Sequence, residues 1–568
     1  MKTPFLSRFL CAFLLLAAGA AAWAEEAQPK SYELTVGNGT DNDRPKGSGR
    51  AKYVPGTKVA VKAHPAPKDM AFDQWVGNVE ALADPMAPET AVTMPAAATQ
   101  VSACYKTAAP KPLVHSLFQD HMVLQRDVKV PIWGWTEPGR KVAVEVAGET
   151  AEAAAGQDGR WLVTMGPFKA GGPHTIKVAG PTSVTLNDVM IGDVWVGSGQ
   201  SNMHLTGPDK EDAATADDPA FRFLMACPGN EDFGSPRPLE YFAVTKGQWR
   251  VCRPDGAGHC SKTAFYFGRA LRQQLKVPVG LIVVALNGSP IEAWIPRESL
   301  MTLPEHVENG KFKYPWSLSW GNGQFPYCRY NAQIHPLAPF AIKGFLWYQG
   351  ETNAGRDPIR YRDLLPMLIK DWRALWGGEP IPFITVQLHL AGQFDPKRPP
   401  SSRREKWVEL EEAQRMSLKV PQTGLVVTVD LADRDSLHPP NKKGISERAV
   451  LVARKVAYGE DVVALGPIYK GMKVEGEAVR LSFDSVGGGL ASKDGQPLRY
   501  FAIAGEDRKF VWAEARIDKD TVLVSSPQVK SPVAVRYAWG SGQKEANLGN
   551  REGLPASPFR TDDWSDKE

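Results

Sequence analysis

Ser201 stands in the run Gly199-Gln200-Ser201-Asn202-Met203, directly after the apolar segment 188–197 (DVMIGDVWVG). That segment reads as a buried strand, which places the hydroxyl at a strand's carboxyl end, well placed to attack a carbonyl. A serine hydroxyl is a poor nucleophile until a neighbouring base takes its proton. His438 is the candidate base, and Asp435, on the same loop, can hold its other ring nitrogen and stabilise the imidazolium that forms. Attack on an ester leaves negative charge on the former carbonyl oxygen. The backbone N–H groups of Ser201 and Gly288 and the side-chain amide of Asn353 are candidate donors to it, and one such donor is worth ~100–1000-fold in rate. Gly288 suits the role because, lacking a Cβ, it lets backbone approach closely.

These residues need a scaffold, and the central sequence supplies one. Apolar segments at 189–197, 280–286, 342–348, 383–388 and 424–430 read as strands. They alternate with helical patterns near 261–275, 359–376, 405–418 and 444–458. Such alternation predicts an α/β unit with a mostly parallel sheet covered by helices on both faces. Four strand ends are followed by polar clusters: Gln200-Ser201-Asn202, Asn287-Gly288-Ser289, Gln349-Gly350-Glu351-Thr352-Asn353 and Asp433 to His438. In an open α/β sheet these tips face one crevice. Each cluster alone has a bland reading. Gly-x-Ser is usually a turn, His438 before Pro439-Pro440 is a loop residue ahead of a helix, Asn353 is a cap, and Gln349 with Glu351 is an exposed turn. Their joint placement at four tips is what argues for a site, with Gln200, Glu351 and Trp294 as pocket candidates.

A chain of 568 residues exceeds what one hydrophobic core supports, so three or four domains are expected. Lys2 and Arg8, the apolar run 9–22 and Ala22-Trp23-Ala24 read as a cleavable signal peptide over residues 1–24, implying a secreted or periplasmic protein without membrane insertion. Without Lys2 and Arg8 the chain carries 65 basic and 63 acidic residues, a balance that gives no reason to expect nucleic acid as a partner. Residues 25–107 and 108–187 read as short strands broken by turns, the second segment sandwich-like, ahead of a catalytic unit at 188–460. Residues 461–568 return to short strands able to pack with 112–187. Cys252 and Cys260 are close enough to pair across a Gly-rich loop, but five cysteines after the leader do not make a full disulfide framework. No carboxylate pair, phosphate loop or metal cluster stands out, so neither metal nor cofactor is expected. Trp133, Trp135, Trp161 and Trp195 fall within strand patterns and read as core, as do His335 and His389; Glu411, Glu412 and Gln414 read as a helix surface.

The order Gly-Gln-Ser201-Asn-Met, Trp347-Tyr-Gln-Gly-Glu-Thr-Asn353, Asp435-x-x-His438-Pro resembles the SGNH (GDSL-type) hydrolases, most closely their sialate O-acetylesterase branch. Phe118-x-Asp120-x-Met122-Val-Leu-Gln125, Ile291-Glu-Ala-Trp294, Tyr330-Asn331-x-x-Ile334-His335-Pro336 and Phe501-x-Ile-Ala-Gly-Glu-Asp-Arg508 extend the resemblance over about residues 110–565. It implies a three-layer, flavodoxin-like α/β core flanked by β-sandwich-like domains. It also implies Ser201 as nucleophile, His438 as base, Asp435 as its orienter, and Gly288 and Asn353 at oxyanion positions. Two positions depart from the pattern. Gln200 replaces the Asp of many GDSL enzymes, which suits the sialate branch, and Asn287 stands where this branch more often has a second glycine. The expected substrate is an O-acetylated sialic acid or sialoglycan. A xylan or other carbohydrate acetylesterase is the alternative, and a glycan-binding or adhesion protein with a degenerate core is the alternative of another class. Tyr53-x-x-Gly56, Phe72-x-x-Trp75-x-Gly77 and Thr93-Met94-Pro95 resemble the internalin B-repeat, implying a module for glycan or cell-surface contact.

Overall fold

The computed structural model describes residues 30–41, 49–67, 70–107, 111–226, 238, 247–308, 311–312, 325–388, 399, 406–431, 436–540 and 542–564. The strand expected at 189–197 is nearly twice that length: β1 spans Ser183–Gly199. Its first half pairs antiparallel with Gly171–Ala179, and at Met190–Gly192 it runs parallel to Val123–Gln125. The expected boundary between 187 and 188 therefore cuts a continuous strand. The polar pair Asn187-Asp188 marks a bend within it, not its start. Asp188 has φ 53°, and its carboxylate takes hydrogen bonds from Arg222 (3.0 Å) and His121 (2.7 Å).

The other core strands are β2 (Asp218–Met225), β3 (Trp249–Cys252), β4 (Val279–Ala285), β5 (Gly344–Tyr348), β6 (Phe383–Val386) and β7 (Thr423–Val426). Their order across the sheet is β3-β2-β4-β1-β5-β6-β7, parallel throughout except β3, which runs antiparallel to β2. The pattern did not reveal β2 and β3. In β2 the buried Arg222 interrupts the apolar run, its guanidinium spent on the carbonyls of Pro219, His121 and Asp188. From β1 the chain builds outward to one side, then returns to build β5 to β7 on the other. The reversal thus lies between the carboxyl ends of β1 and β5, where such sheets open a crevice.

The helices needed here are α1 (Ser201–His204), α2 (Lys262–Leu275), α3 (Glu351–Ala354), α4 (Tyr361–Leu375), α5 (Lys406–Met416) and α6 (Lys442–Val456). Ser261 caps α2 by accepting from the Ala264 N–H (3.2 Å), and Asn441 caps α6 through the Gly444 N–H (2.9 Å). Successive strand residues face opposite sides. Trp195 meets Phe267 of α2, whereas Phe345, opposite Val196 in the register, meets Trp372 of α4. Helices thus cover both faces. Trp195 fits because its register partner is Gly344, where a Cβ would lie 2.6 Å from the indole.

The 112–187 segment shares one hydrophobic cluster with the α/β unit, and Trp133, Trp135 and Trp161 are buried in it. The N-terminal strands enclose a separate small core around Leu34, Val36, Val61, Trp75 and Val101. The C-terminal strands do not join the 112–187 segment as expected. They share a core with Leu425, Val427 and Val429, at and beyond β7. That packing also corrects the reading of Glu411, Glu412 and Gln414, all buried on α5. Glu412 takes Arg560 of the C-terminal segment (3.1 Å) and Arg362 of α4, so a polar helix face is covered by cations and not by water. Cys252 and Cys260 are free and buried. Burial pushes both thiols up, Cys252 to about 12, and they pack as small apolar groups. His335 is half-buried beside the Tyr330 ring, and Cys227 and His389 lie outside the described residues.

Gly199 closes β1 at φ 137°, and a Cβ there would lie 2.1 Å from the Tyr348 carbonyl oxygen. Gly199→Ala should therefore lower the unfolding free energy by ~3 kcal/mol or more, read as a reduced denaturation midpoint.

Candidate active site

β1 delivers Ser201 to the crevice as the first residue of α1, with only 8% of its surface exposed. Its Oγ lies 2.8 Å from Nε2 of His438, 237 residues further along the chain. The base comes from the loop leading into α6, whose cap is Asn441, so His438 is left free to face the serine. Ser436 Oγ accepts the His438 N–H (2.9 Å) and braces that loop. Asp435, the expected orienter, lies outside the described residues. Partial burial, then the nearby Lys442 ammonium, holds the imidazole below its ordinary value of 6.5. A neutral ring is the form that can accept a proton.

Beneath this pair the tips of β1, β4 and β5 are joined by side-chain amides. Gln349 is fully buried, and its Nε2 faces Gln200 Oε1 (3.0 Å), the Ser289 carbonyl (3.1 Å) and Asn353 Oδ1 (2.8 Å). Its own oxygen accepts from Tyr361 (2.8 Å), which in turn accepts from the Trp347 indole (3.0 Å). Gln414 of α5 donates to the Gln349 carbonyl (3.0 Å). Asn353 is held from three sides: Oδ1 takes Gln349 and the Ile291 N–H (3.0 Å), while Nδ2 donates to Glu292 (2.9 Å). Two donors on its oxygen fix the amide's orientation and leave the second Nδ2 proton for another acceptor.

A second cluster lies beside Ser201. Asn202 Nδ2 donates to Glu351 Oε1 and to the Leu437 carbonyl (3.0 Å), and Lys442 Nζ donates to Asn202 Oδ1. Glu351 is 9% exposed and Lys442 2%. Burial pushes the Glu351 carboxyl up to about 7 and the Lys442 ammonium down to about 7. On the other side, His204 Nδ1 meets Asn287 Oδ1 (2.9 Å), so the residue replacing a second glycine ties α1 to the tip of β4.

The sequence profile of the carbohydrate esterase, sialic acid-specific acetylesterase family matches residues 191–446, the span from β1 into α6. A solved carbohydrate acetylesterase from Xanthomonas citri is 36% identical, with a TM-score of 0.72 over 80% of this chain and 100% of that one. The chain belongs to the sialic acid-specific acetylesterase family of carbohydrate esterases. Among curated proteins, the human sialate O-acetylesterase is 29% identical over 498 residues, 78% of this chain and 91% of that protein. The mouse sialate O-acetylesterase is 28% identical over 515 residues, 78% and 93%. Residues 32–109 match the divergent internalin B-repeat domain.

Within this acetylesterase family chain, the structure brings Ser201 and His438 into contact and sets Asn353 and Glu351 on the adjoining tip. Gly288 occupies the turn after β4 at φ 68°, and among the described residues neither its N–H nor that of Ser201 donates a hydrogen bond. Two pocket candidates are corrected. Gln200 is 3% exposed, its Oε1 taken by Gln349 and the Thr352 N–H (3.2 Å), so it ties β1 to β5. Trp294 is wholly buried. The short 3-10 turn Ile291–Trp294 folds its ring under the tip, with the indole N–H on Ser289 Oγ (3.0 Å). Gln349 and Glu351 are not an exposed turn, and Asn353 lies inside α3 and does not cap the segment that follows, its oxygen going instead to the Ile291 N–H that opens the 3-10 turn. Sequence reasoning gave no role to Asn202, Glu292, Tyr361, Gln414 or Lys442. Asn202 and Glu292 lay inside motifs already singled out, while nothing in a Lys-Lys pair after Asn441 signals burial of the first lysine.

Gln349→Leu would take the side-chain donor from the buried Ser289 carbonyl, one of two donors from Gln200 Oε1 and from Asn353 Oδ1, and one of two acceptors from the Tyr361 hydroxyl. It should cost ~2–4 kcal/mol of unfolding free energy, measured by denaturant titration.

Proposed function

We propose that the protein is a serine esterase that removes O-acetyl groups from sialic acids, on an SGNH-type three-layer core. Ser201 Oγ attacks the acetyl carbonyl carbon as its proton passes to His438 Nε2. The tetrahedral oxyanion is received by the N–H groups of Ser201 and Gly288 and the free Nδ2 proton of Asn353. Collapse breaks the ester bond, and the departing sugar oxygen takes the proton from His438. Water, deprotonated by the same imidazole, then attacks the acetyl-enzyme and releases acetate and Ser201. Asp435 would hold the other ring nitrogen. The single observation that carries this reading is the 2.8 Å contact between Ser201 Oγ and His438 Nε2. Acetylated sialic acid as substrate is supported by the family match and by the curated relatives named sialate O-acetylesterase. Xylan or another acetylated glycan is the second reading, favoured by the broader description of the Xanthomonas relative. A degenerate, purely glycan-binding core fits poorly with a serine and an imidazole in hydrogen-bond contact.

The leader at residues 1–24 supports export. Among the described residues no helix is long and apolar enough to cross a membrane. The internalin-like module at 32–109 is proposed to contact glycan or a cell surface.

Ser201→Ala should abolish acetate release from O-acetylated sialic acid while leaving thermal melting unchanged; retained turnover in that variant would overturn the mechanism. Parallel assays on acetylated sialoglycan and acetylated xylan rank the two substrates. The pH profile of kcat/KM is a separate check. The imidazole must be neutral to act and is held below 6.5, so activity should rise with pH through a limb centred below that value. A limb centred at or above 6.5 contradicts the environment assigned to His438.

A further inference from the structure

Lys442 is a charged side chain in a place that charge ordinarily avoids. It opens α6 four residues beyond His438, only 2% exposed, with its ammonium 4.9 Å from the centre of the Tyr348 ring. It donates to Asn202 Oδ1, and the Asn202 Nδ2 group donates in turn to Glu351 Oε1 and the Leu437 carbonyl. Both protons of that amide are thereby committed, and its oxygen holds the ammonium. An ammonium only donates, so it fixes which end of the amide is oxygen, and the two acceptors then fix the nitrogen. The position of this amide in the chain gives the arrangement its meaning. Asn202 follows Ser201, and Leu437 precedes His438. One side chain therefore ties the backbone beside the hydroxyl to the backbone beside the imidazole.

We propose that Lys442 is a positioning residue for the reaction, acting through Asn202, with Glu351 on the far side, to hold the His438 loop in register with Ser201. The inference rests on the reading of Ser201 and His438 as nucleophile and base. Among the described residues, the groups facing Lys442 are Glu351 of α3, Lys262 of α2 and the Tyr348 ring of β5, and those facing His438 are Ser201 and Lys442. Among these residues Asn202 is the side chain that hydrogen-bonds the Glu351 carboxyl, through Oε1, and the carboxyl also feels the backbone N–H groups at the start of α3. A buried ion network with only a stabilising role is the competing account, and such networks are often replaceable by apolar groups at little cost. The two accounts differ in what the imidazole feels.

The test uses the full chain with Lys442→Met and Lys442→Gln, and Ser201→Ala as control. Four quantities are read: thermal melting, kcat and KM on an acetyl ester, the pH dependence of kcat/KM, and the rate of Ser201 phosphonylation by a fluorophosphonate. The last reports serine activation without any glycan. Lys442→Met is expected to lose ~10–100-fold in kcat and in phosphonylation rate, with KM little changed, because misalignment of reacting groups has effects of that order. Its acid limb should move up once the neighbouring cation is gone. Lys442→Gln keeps a donor for Asn202, so it should recover most of the rate while retaining the shifted limb. Wild-type kcat with an unmoved limb in Lys442→Met overturns the proposal, as does a loss confined to melting temperature. If Lys442→Met does not fold, Lys442→Gln decides, and an unmoved limb there is equally fatal. Activity surviving in Ser201→Ala would instead overturn the nucleophile reading, whatever the lysine variants do.

Discussion

Burial of polar side chains at the strand tips is the constraint on which the rest of this structure depends. Gln200, Asn202, Gln349, Glu351, Asn353 and Lys442 are each no more than 9% exposed. Burying an amide or a charge without a partner costs several kcal/mol, so these groups depend on the hydrogen bonds they make to one another. Gln349 faces three acceptors with two protons, so one contact is shared. The consequence is a floor to the crevice that has little freedom to relax. Donors that cannot reorient pay no reorganisation cost when charge develops above them, which is the physical meaning of preorganisation.

That floor is in turn fastened to a strand that belongs to two units. β1 carries the buried Asp193 near its middle. Its carboxylate accepts from Gln125 (3.1 Å), from Arg126 through both oxygens (3.0 and 2.9 Å) and from Tyr458 (3.0 Å). The first two partners precede the α/β unit and the third follows α6. A bidentate arginine on a buried carboxylate is among the stronger polar contacts available to a protein. It sets the lateral position of β1 at the level where the strand passes from the sandwich-like segment into the parallel sheet. The nucleophile, two residues past the end of that strand, inherits the placement.

The parts of this architecture that were legible in the sequence share a physical cause. Strands buried on both faces, such as 280–286 and 344–348, appear as unbroken apolar runs, and the polar residues after them are conspicuous by contrast. The parts that were not legible all involve polar groups buried by partners from distant sequence. Arg222 hid β2, because a guanidinium that spends itself on backbone carbonyls looks like a surface residue in a one-dimensional pattern. Glu411, Glu412 and Gln414 gave α5 the composition of an exposed helix, though Arg560 and Arg362 cover one and the carbonyls of Gln349, just past β5, and of Val386 in β6 engage another. Trp294 failed in the opposite sense. Its place just past a strand tip suggested a pocket wall, but the turn after Pro290 rotates the ring inward. Local pattern reports the period of burial and is silent on which distant group completes a polar contact.

The pairing of a buried ammonium with a base sets two electrostatic demands against each other. Before reaction, a cation beside His438 favours the neutral ring and so raises the fraction of enzyme able to accept a proton at mildly acidic pH. During acyl transfer the ring becomes imidazolium, and the same cation opposes that step. The conflict is reduced by the environment of Lys442 itself. Burial holds its ammonium far below the usual lysine range, to about 7, and the Glu351 carboxyl stands across Asn202 from it. A lysine held here donates to Asn202, and an ionised Glu351 across the amide offsets part of its field at the imidazole. A solvated lysine would carry its full charge on a mobile stem, and an apolar residue would leave Asn202 Oδ1 without its donor.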